Sequence, residues 1–169
     1  MSRRERASIL LAAALAAGCA AGRPRPGVGD LSFRLAWEGE ADLDLYVLSP
    51  LGERIDFSRR AAPSGGQLDI DCNVTLPGRA PSPEASGEPA PVKVRCPHPL
   101  ENVFWPEGAA PPGPYGVQVL LADGEGARTG DHWALEVRFG RQVVRRWDGN
   151  VPALATAPFT LNIDYPGPD

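Results

Sequence analysis

The chain has 169 residues, enough for one domain with a buried core, and a formal net charge of −4. Proteins hold the phosphate backbone of nucleic acids mainly through lysine and arginine, so an acidic chain is poorly suited to that task. Composition therefore argues against a nucleic-acid partner.

The N-terminal residues have the pattern of an export signal. Three arginines stand among the first six residues, and an apolar run from Ile9 to Ala17 follows. The run is too short to span a bilayer. A buried core helix would also fit it, but the arginines and the small residues beside it favour export. We therefore expect a cleaved signal peptide at residues 1–18.

The end of this segment, Leu15-Ala16-Ala17-Gly18-Cys19, resembles the lipobox of bacterial lipoproteins. The resemblance implies that Cys19 becomes the lipidated first residue, although Ala16 stands where the motif prefers leucine. Ordinary cleavage after an alanine-rich segment is the alternative. Loss of residues 1–18 leaves 14 basic and 20 acidic side chains, a net charge of −6, which argues against an electrostatic hold on anionic lipid. We expect a lipid-anchored protein of the bacterial cell envelope, periplasmic or surface-facing.

The first folded elements follow a short tether. Residues 19–30 are rich in proline and glycine and predict a flexible linker. Apolar and polar residues then alternate from Leu31 to Trp37, which is typical of a strand with one buried face. The same alternation continues from Asp42 to Leu48. A turn around Pro50 and a return from Arg54 to Phe57 complete a predicted β-hairpin.

A strand and a loop segment come next. Gln67 to Cys72 is a predicted strand, and residues 73–91 are so rich in proline, glycine and serine that they predict a disordered surface insertion. Cys72 and Cys96 flank this insertion. In an exported protein such a pair is expected to form a disulfide, worth roughly 3 kcal/mol for a loop of this length. Two free buried thiols are the alternative.

The rest of the chain continues as short strands separated by turns. They are predicted at residues 92–95, 101–106, 115–121, 133–139, 142–147 and 159–163. No segment after the signal keeps a helical period. Together these patterns predict an all-β protein, a single antiparallel β-sandwich of immunoglobulin-like or jelly-roll-like type over residues 31–165.

Four blocks between Leu31 and Ala122 resemble a known family. They are W-x-G-E-A-D-L-D-L-Y-V-x-S-P-x-G-E, S-G-G-Q-L-D-I-D, E-N-V-F-W and A-P-P-G-P-Y-G-V-Q-V. This order is similar to that of the YfaP-like domains of bacterial exported proteins. The stretch from Cys72 to Pro99 departs from the pattern, since such domains pass quickly to the E-N block. The resemblance implies a β-sandwich and an exported location, and it carries no established activity.

Sequence motifs for catalysis are absent. The two histidines, His98 and His132, lie in different predicted loops, and no G-x-S-x-G elbow, H-E-x-x-H motif or phosphate-binding loop occurs. Paired carboxylates could serve a glycoside hydrolase, so a hydrolase is kept as a third interpretation. We expect no enzymatic activity.

Two D-x-D pairs predict a cation site. Because strands have a period of two, Asp42 and Asp44 share one strand face, as do Asp69 and Asp71. Pairing of the strand at Gln67 with the strand at Arg54 would bring the pairs together, and the disulfide would add the E-N block. Oxygen ligands of this kind suit Ca²⁺. The predicted ligands are Asp42, Asp44, Asp69, Asp71, Glu101 and Asn102. The alternative is a solvated face whose acids pair with Arg54, Arg59 or Arg60.

Tryptophans suggest a further hypothesis, carbohydrate binding by stacking. Most of the four are expected to fill the core, and Trp105 and Trp147 are the best candidates for an exposed, ligand-binding ring. The leading interpretation is a non-catalytic envelope domain that binds or scaffolds an unknown envelope protein or glycan, with Ca²⁺ as its only candidate cofactor. A calcium-dependent carbohydrate-binding module is the alternative.

Overall fold

The computed structural model describes residues 25–76 and 91–168, which form eleven strands and one short 3₁₀ helix at Val151–Ala155. The predicted signal peptide and Cys19 lie outside the described residues, as do residues 77–90. The strands are β1 Leu31–Trp37, β2 Asp42–Leu48, β3 Arg54–Ile55, β4 Gln67–Ile70, β5 Thr75–Leu76, β6 Val92–Lys93, β7 Leu100–Trp105, β8 Gly113–Asp123, β9 His132–Phe139, β10 Gln142–Asn150 and β11 Phe159–Tyr165.

Two antiparallel sheets pack face to face, so the predicted all-β sandwich is confirmed. One sheet has five strands in the order β10-β9-β1-β7-β4, and the other has four in the order β11-β8-β2-β3. A third, two-stranded ribbon pairs β5 with β6. The hairpin of β2 and β3 forms as predicted, with Val47 opposite Ile55.

The core lies between the sheets and follows the alternation seen in the sequence. Every second residue of β1 and β2 is buried, as are the inward residues of β7, β8 and β9. Burial of this apolar surface is the main favourable contribution to folding. The largest fully buried side chains include Trp105, Tyr115, Phe33, Leu31, Leu35, Leu43 and Leu45.

The pairing of β4 differs from the sequence-based expectation. β4 pairs with β7 in the five-stranded sheet, with Gln67 opposite Phe104, and not with the strand at Arg54. A bulge interrupts this pairing between Leu68 and Ile70. Because a bulge inserts an unpaired residue, it re-aims the side chains around it. This change decides where Asp69 and Asp71 point.

The predicted disulfide joins Cys72 to Cys96, with their Cα atoms 5.7 Å apart. The insertion begins later than expected, because Thr75 and Leu76 pair with β6. Asn73 is fully buried in a left-handed conformation, with φ at 62°. Its amide donates to the carbonyls of Gly39 and Ala41, and its Oδ1 accepts from the backbone N–H of Cys96. These bonds fix the ribbon next to the disulfide.

The last part of the predicted tether lies on the five-stranded sheet. The backbone N–H of Gly27 donates to Asp69 Oδ2 over 2.6 Å, and Asn102 Nδ2 donates to the Gly27 carbonyl over 3.3 Å. A Cβ atom at Gly27 would clash with the ring of Phe104, so only glycine allows this close approach. The chain therefore enters the fold across the outer face of this sheet.

Candidate functional site

A buried carboxylate completes the edge of β2. β3 pairs with β2 only at Val47 and Leu48, so the short strand does not reach Leu45. The N–H of Leu45 donates instead to Glu101 Oε2, over 2.7 Å. Glu101 alternates with Val103 and Trp105 on the inward face of β7, and it is 1% exposed. The sandwich thus contains an acidic group between its two sheets.

Three more carboxylates surround an open cleft in front of Glu101. Asp42 and Asp44 on β2 and Asp71 after β4 line this cleft, which has a volume of about 370 Å³. Glu101 interacts electrostatically with Asp71 and Asp44. We call these four residues the acidic cluster. The structure therefore brings together four of the six predicted ligands.

Several oxygens of the acidic cluster have no hydrogen-bond partner among the described residues. They are Oδ1 of Asp42, Oδ1 of Asp71 and Oε1 of Glu101, and each is buried. Asp42 is 9% exposed and the Asp71 side chain 6%. A buried, unpaired acceptor destabilises the fold by about 1–3 kcal/mol, and more when it carries charge. The acidic cluster therefore needs additional positive charge or bound protons to satisfy these oxygens.

The pKa values in the cluster move in the direction that this shortage predicts. Burial, followed by repulsion from Asp44 and Asp71, raises the pKa of Asp42 to about 7. Burial and repulsion from Asp71 and Asp56 raise the pKa of Asp44 to about 6. The pKa of Glu101 lies well above its usual value, because of burial and then Asp71. When protonated, Glu101 can donate to Asp71, so a proton is one way to neutralise the cluster.

Asp56 shows how a satisfied buried carboxylate differs. Burial alone would raise its pKa, but donors from Ser58, Arg54 and the backbone of Arg59 hold the pKa below its usual value. Ser58 donates through both its N–H, at 2.7 Å, and its hydroxyl, at 2.6 Å. Asp56 therefore needs no further partner, whereas Asp42 does.

One arginine contacts the acidic cluster, and a second acts on it electrostatically. Arg60 Nη1 lies 2.7 Å from Asp71 Oδ2, an ion pair that belongs to the alternative interpretation of the acids given above. Arg95 lowers the pKa of Asp42, although it acts against burial and three acidic neighbours. Lys93 is occupied by Asp123 and Glu125. Two arginines against four carboxylates leave the cluster acidic when all its members are ionised.

Asp69 and Asn102 do not join the cluster. Asp69 alternates with the inward Leu68 and so lies on the outer face of the five-stranded sheet, where its Oδ1 accepts from Asn102 Nδ2 over 2.8 Å. The bulge that follows Leu68 is what separates Asp71 from this face. Asn102 faces outward because it alternates with the inward Glu101. Their place in the predicted ligand set is therefore wrong, since both hold the incoming chain at Gly27.

The described residues contain no set of three or more His, Cys, Asp or Glu side chains arranged to hold a metal ion. The acidic cluster is thus a group of interacting carboxylates, and its members are not preassembled as metal ligands. Besides these acids the cleft is lined by Arg60, by Thr75 and by an apolar wall, which the sequence-based prediction missed. Phe57, Val74, Leu76 and Ala122 line it beside the acids. Phe57 ends the predicted hairpin, and the strand pattern could not predict that its ring is exposed.

The two tryptophans proposed for ligand stacking are both in contact with the core. Trp105 is 0% exposed, packs edge-on against Tyr115 and donates to Ser64 Oγ, so this candidate for an exposed ligand-binding ring belongs to the core. Trp147 is half-buried, with its ring against Phe159. Each fills space at the sandwich interior or side, as bulky aromatic residues commonly do.

The histidines lie away from the acidic cluster. His98 lines a hollow with Trp37 and Glu38, and His132 lines another with Trp133 and Asp148. The described residues that line the acidic cleft include neither imidazole. A carboxylate and an imidazole therefore share each of these two hollows, Glu38 with His98 and Asp148 with His132, but neither pair lies in the acidic cleft.

Comparison of the chain with protein families, curated proteins and solved structures gave no match. The similarity to YfaP-like domains stays a prediction. Within residues 25–76 and 91–168, no helix has the length and apolar character needed to cross a membrane.

Proposed function

We propose that this protein is a non-catalytic binding or scaffold domain, held at the cell envelope by a lipid on Cys19, whose acidic cleft takes up a cation. One observation carries the cation: Asp42 and Asp71 line an open cleft, are about nine-tenths buried, and each keeps an oxygen without a donor. A bound cation removes both the repulsion and the unpaired acceptors.

Calcium is the first cation to test. It accepts irregular shells of carboxylate, carbonyl and water oxygens, whereas Mg²⁺ demands a tighter octahedron. Since no three His, Cys, Asp or Glu side chains within residues 25–76 and 91–168 are preassembled as ligands, calcium would be held partly through water or after a shift of Asp42 and Asp44. A ligand that binds only the native state stabilises it by about 2.7 kcal/mol at a hundredfold excess over its Kd.

The test is a set of thermal melts at pH 7.5 and constant ionic strength, in EDTA and in millimolar CaCl₂. The wild type should melt higher in calcium, and Asp42→Asn with Asp71→Asn should lose that gain. Asp164→Asn is the matched control, because Asp164 is an exposed aspartate on β11 with no role in the cleft. A wild-type melting temperature that no tested cation changes would refute the proposed cation binding.

The envelope location rests on the lipobox-like segment and has its own test. Cys19→Ala should leave the protein soluble in the exported fraction or unprocessed. Unchanged partition of that variant into membranes would refute the anchor and leave the cleft proposal untouched.

Carbohydrate binding is a second candidate function, favoured by the outer face of the four-stranded sheet. A shallow groove of about 420 Å³ lies there beside Tyr46, Gln118, Thr160 and Asn162. Arg54 covers one side of the Tyr46 ring, with its guanidinium carbon 4.6 Å from the ring centroid. If this groove binds glycans, Tyr46→Ala should abolish retardation in affinity electrophoresis through a polysaccharide gel. Wild-type mobility unaffected by any polysaccharide would remove this candidate.

A further inference from the structure

We infer that the cation held by the acidic cleft is an organic ammonium ion, whose charged nitrogen lies among the carboxylates and whose hydrocarbon part lies on the neighbouring apolar wall. The inference rests on the proposed function, since it takes cation binding as given, and it names the chemical class of the ligand. The shared chemistry is an alkylammonium group, from a free amine or from a lysine side chain.

The cleft is large enough for a small organic ligand. Its volume of about 370 Å³ falls within the range of small-molecule sites, which begins near 300 Å³. A single water takes up about 30 Å³, so one bare ion would fill little of this space. A short alkylamine fills more of it and displaces water from the apolar wall.

The walls of the cleft are only partly acidic. Calcium prefers a shell made of oxygen atoms alone, and here carboxylates occupy only part of the lining. Phe57 is 51% exposed and Leu76 48%, both unusually open for large apolar side chains at the rim of one cleft. A hydrocarbon tail on these side chains would be removed from water. The Phe57 ring can also attract the ammonium charge.

Two aspartate oxygens of the cluster have no hydrogen-bond partner among the described residues. Asp42 Oδ1 and Asp71 Oδ1 are buried acceptors without donors, and an ammonium group carries three N–H donors in a compact head. Asp71 already accepts a cationic nitrogen from this protein, since Arg60 Nη1 lies 2.7 Å from its other oxygen. Asp42 Oδ1 and Asp71 Oδ1 are shielded from solvent, so an ammonium group reaches them after the aspartate side chain turns toward the cleft.

The experiment compares ligands by isothermal titration calorimetry on the folded domain at pH 7.5. The probes are n-butylammonium chloride, Nα-acetyl-lysine methylamide and CaCl₂ at matched ionic strength, with n-butanol as the uncharged counterpart. We expect at least one of the two ammonium probes to bind and n-butanol not to bind. The tighter of the two probes indicates whether a free amine or a lysine side chain is the natural source.

Three variants connect any binding to the cleft. Asp42→Asn should abolish ammonium binding, and the control Asp164→Asn should leave it unchanged. Phe57→Ala should weaken ammonium binding roughly three- to tenfold, and it should leave any calcium affinity unchanged. Phe57 is half-exposed, so its truncation leaves the core intact.

The outcomes separate the two proposals. Calcium binding that depends on Asp42, with no binding of either ammonium probe, overturns the organic-ammonium inference and keeps the proposed function. Ammonium binding that is equal in wild type and Asp42→Asn also overturns the inference, because the ligand then sits elsewhere. Absence of binding by all three cations overturns both.

Discussion

Glu101 accepts the backbone N–H of Leu45, 56 residues earlier in the chain, and this 2.7 Å hydrogen bond joins the two sheets of the sandwich. The carboxylate stands where β3 is too short to pair with β2. It therefore satisfies one orphan donor, but it places an acid within reach of Asp71 and Asp44. The cleft and the fold depend on the same side chain.

Two substitutions separate the roles of Glu101. Glu101→Gln keeps an acceptor for Leu45 and removes the charge, so it should raise the free energy of unfolding at pH 8 by about 1 kcal/mol. Glu101→Ala leaves the N–H unpaired beside a cavity and should lower that free energy by roughly 3 kcal/mol. Urea denaturation measures both. Equal destabilisation by Gln and Ala would show that the charge itself is needed.

Stability should fall as the pH rises through neutrality. Asp42 and Asp44 have folded-state pKa values of about 7 and about 6, above the unfolded value of 3.8, and the pKa of Glu101 is also raised. The native state thus binds more protons than the unfolded chain between about pH 4 and pH 7, and stability decreases with pH there. The stability that these raised pKa values contribute is fully present below the unfolded pKa and is lost as the pH rises above the folded pKa.

Melting temperatures between pH 5 and pH 8, without added cations, test this dependence. The wild type should melt lower at pH 8, and the combined variant Asp42→Asn, Asp44→Asn should show a flatter profile. A wild-type profile that rises from pH 5 to pH 8 would contradict the assigned pKa shifts.

Reduction of the disulfide should destabilise the domain by about 2–5 kcal/mol. The bond between Cys72 and Cys96 holds the ribbon of β5 and β6 beside the acidic cluster. Urea unfolding with and without reductant measures the loss, and non-reducing mass spectrometry shows the linked peptides. As the control, the double variant Cys72→Ala, Cys96→Ala should have the same urea midpoint with and without reductant. An identical wild-type midpoint in both buffers would mean that the bond is not formed in solution.

Asn73 begins an Asn-Val-Thr sequence that matches a glycosylation sequon, yet its side chain is fully buried and makes three hydrogen bonds. Asn73→Asp would point a carboxylate at the carbonyls of Gly39 and Ala41, so we expect a loss of roughly 3 kcal/mol. Asn162→Asp, on the exposed face of β11, is the matched control and should change little. A melting temperature equal to that of the control would refute these bonds.

Local pattern was enough to predict much of the fold. Alternation placed β1, β2 and β9 and the buried side of each, because one face of every strand meets the core. The partner of β4 was not predictable, since strand order depends on packing between segments far apart in sequence. The bulge beside Ile70 then separated Asp69 from Asp71, which a strict two-residue period cannot foresee.

The acidic cluster was partly visible in advance for a similar reason. Glu101, Val103 and Trp105 alternate in the sequence, and that spacing already places Glu101 on the inward face of β7. Asn102 was grouped with it as a neighbour in sequence, but adjacent residues of a strand face opposite sides. The apolar wall at Phe57 and Leu76 comes from loops and a short ribbon, whose positions only the tertiary fold determines.

The hydrogen bonds that Gly27 makes with the five-stranded sheet affect how the domain responds to a pulling force. A force applied to the N-terminal end of the chain first loads the two hydrogen bonds that Gly27 makes with Asp69 and Asn102. Beyond them the force runs along β1, which is hydrogen-bonded to β7 on one flank and to β9 on the other. Such a strand must be sheared out along its length, with both rows of bonds resisting together. A pull on the N-terminal end of the described chain is therefore opposed along the whole length of β1.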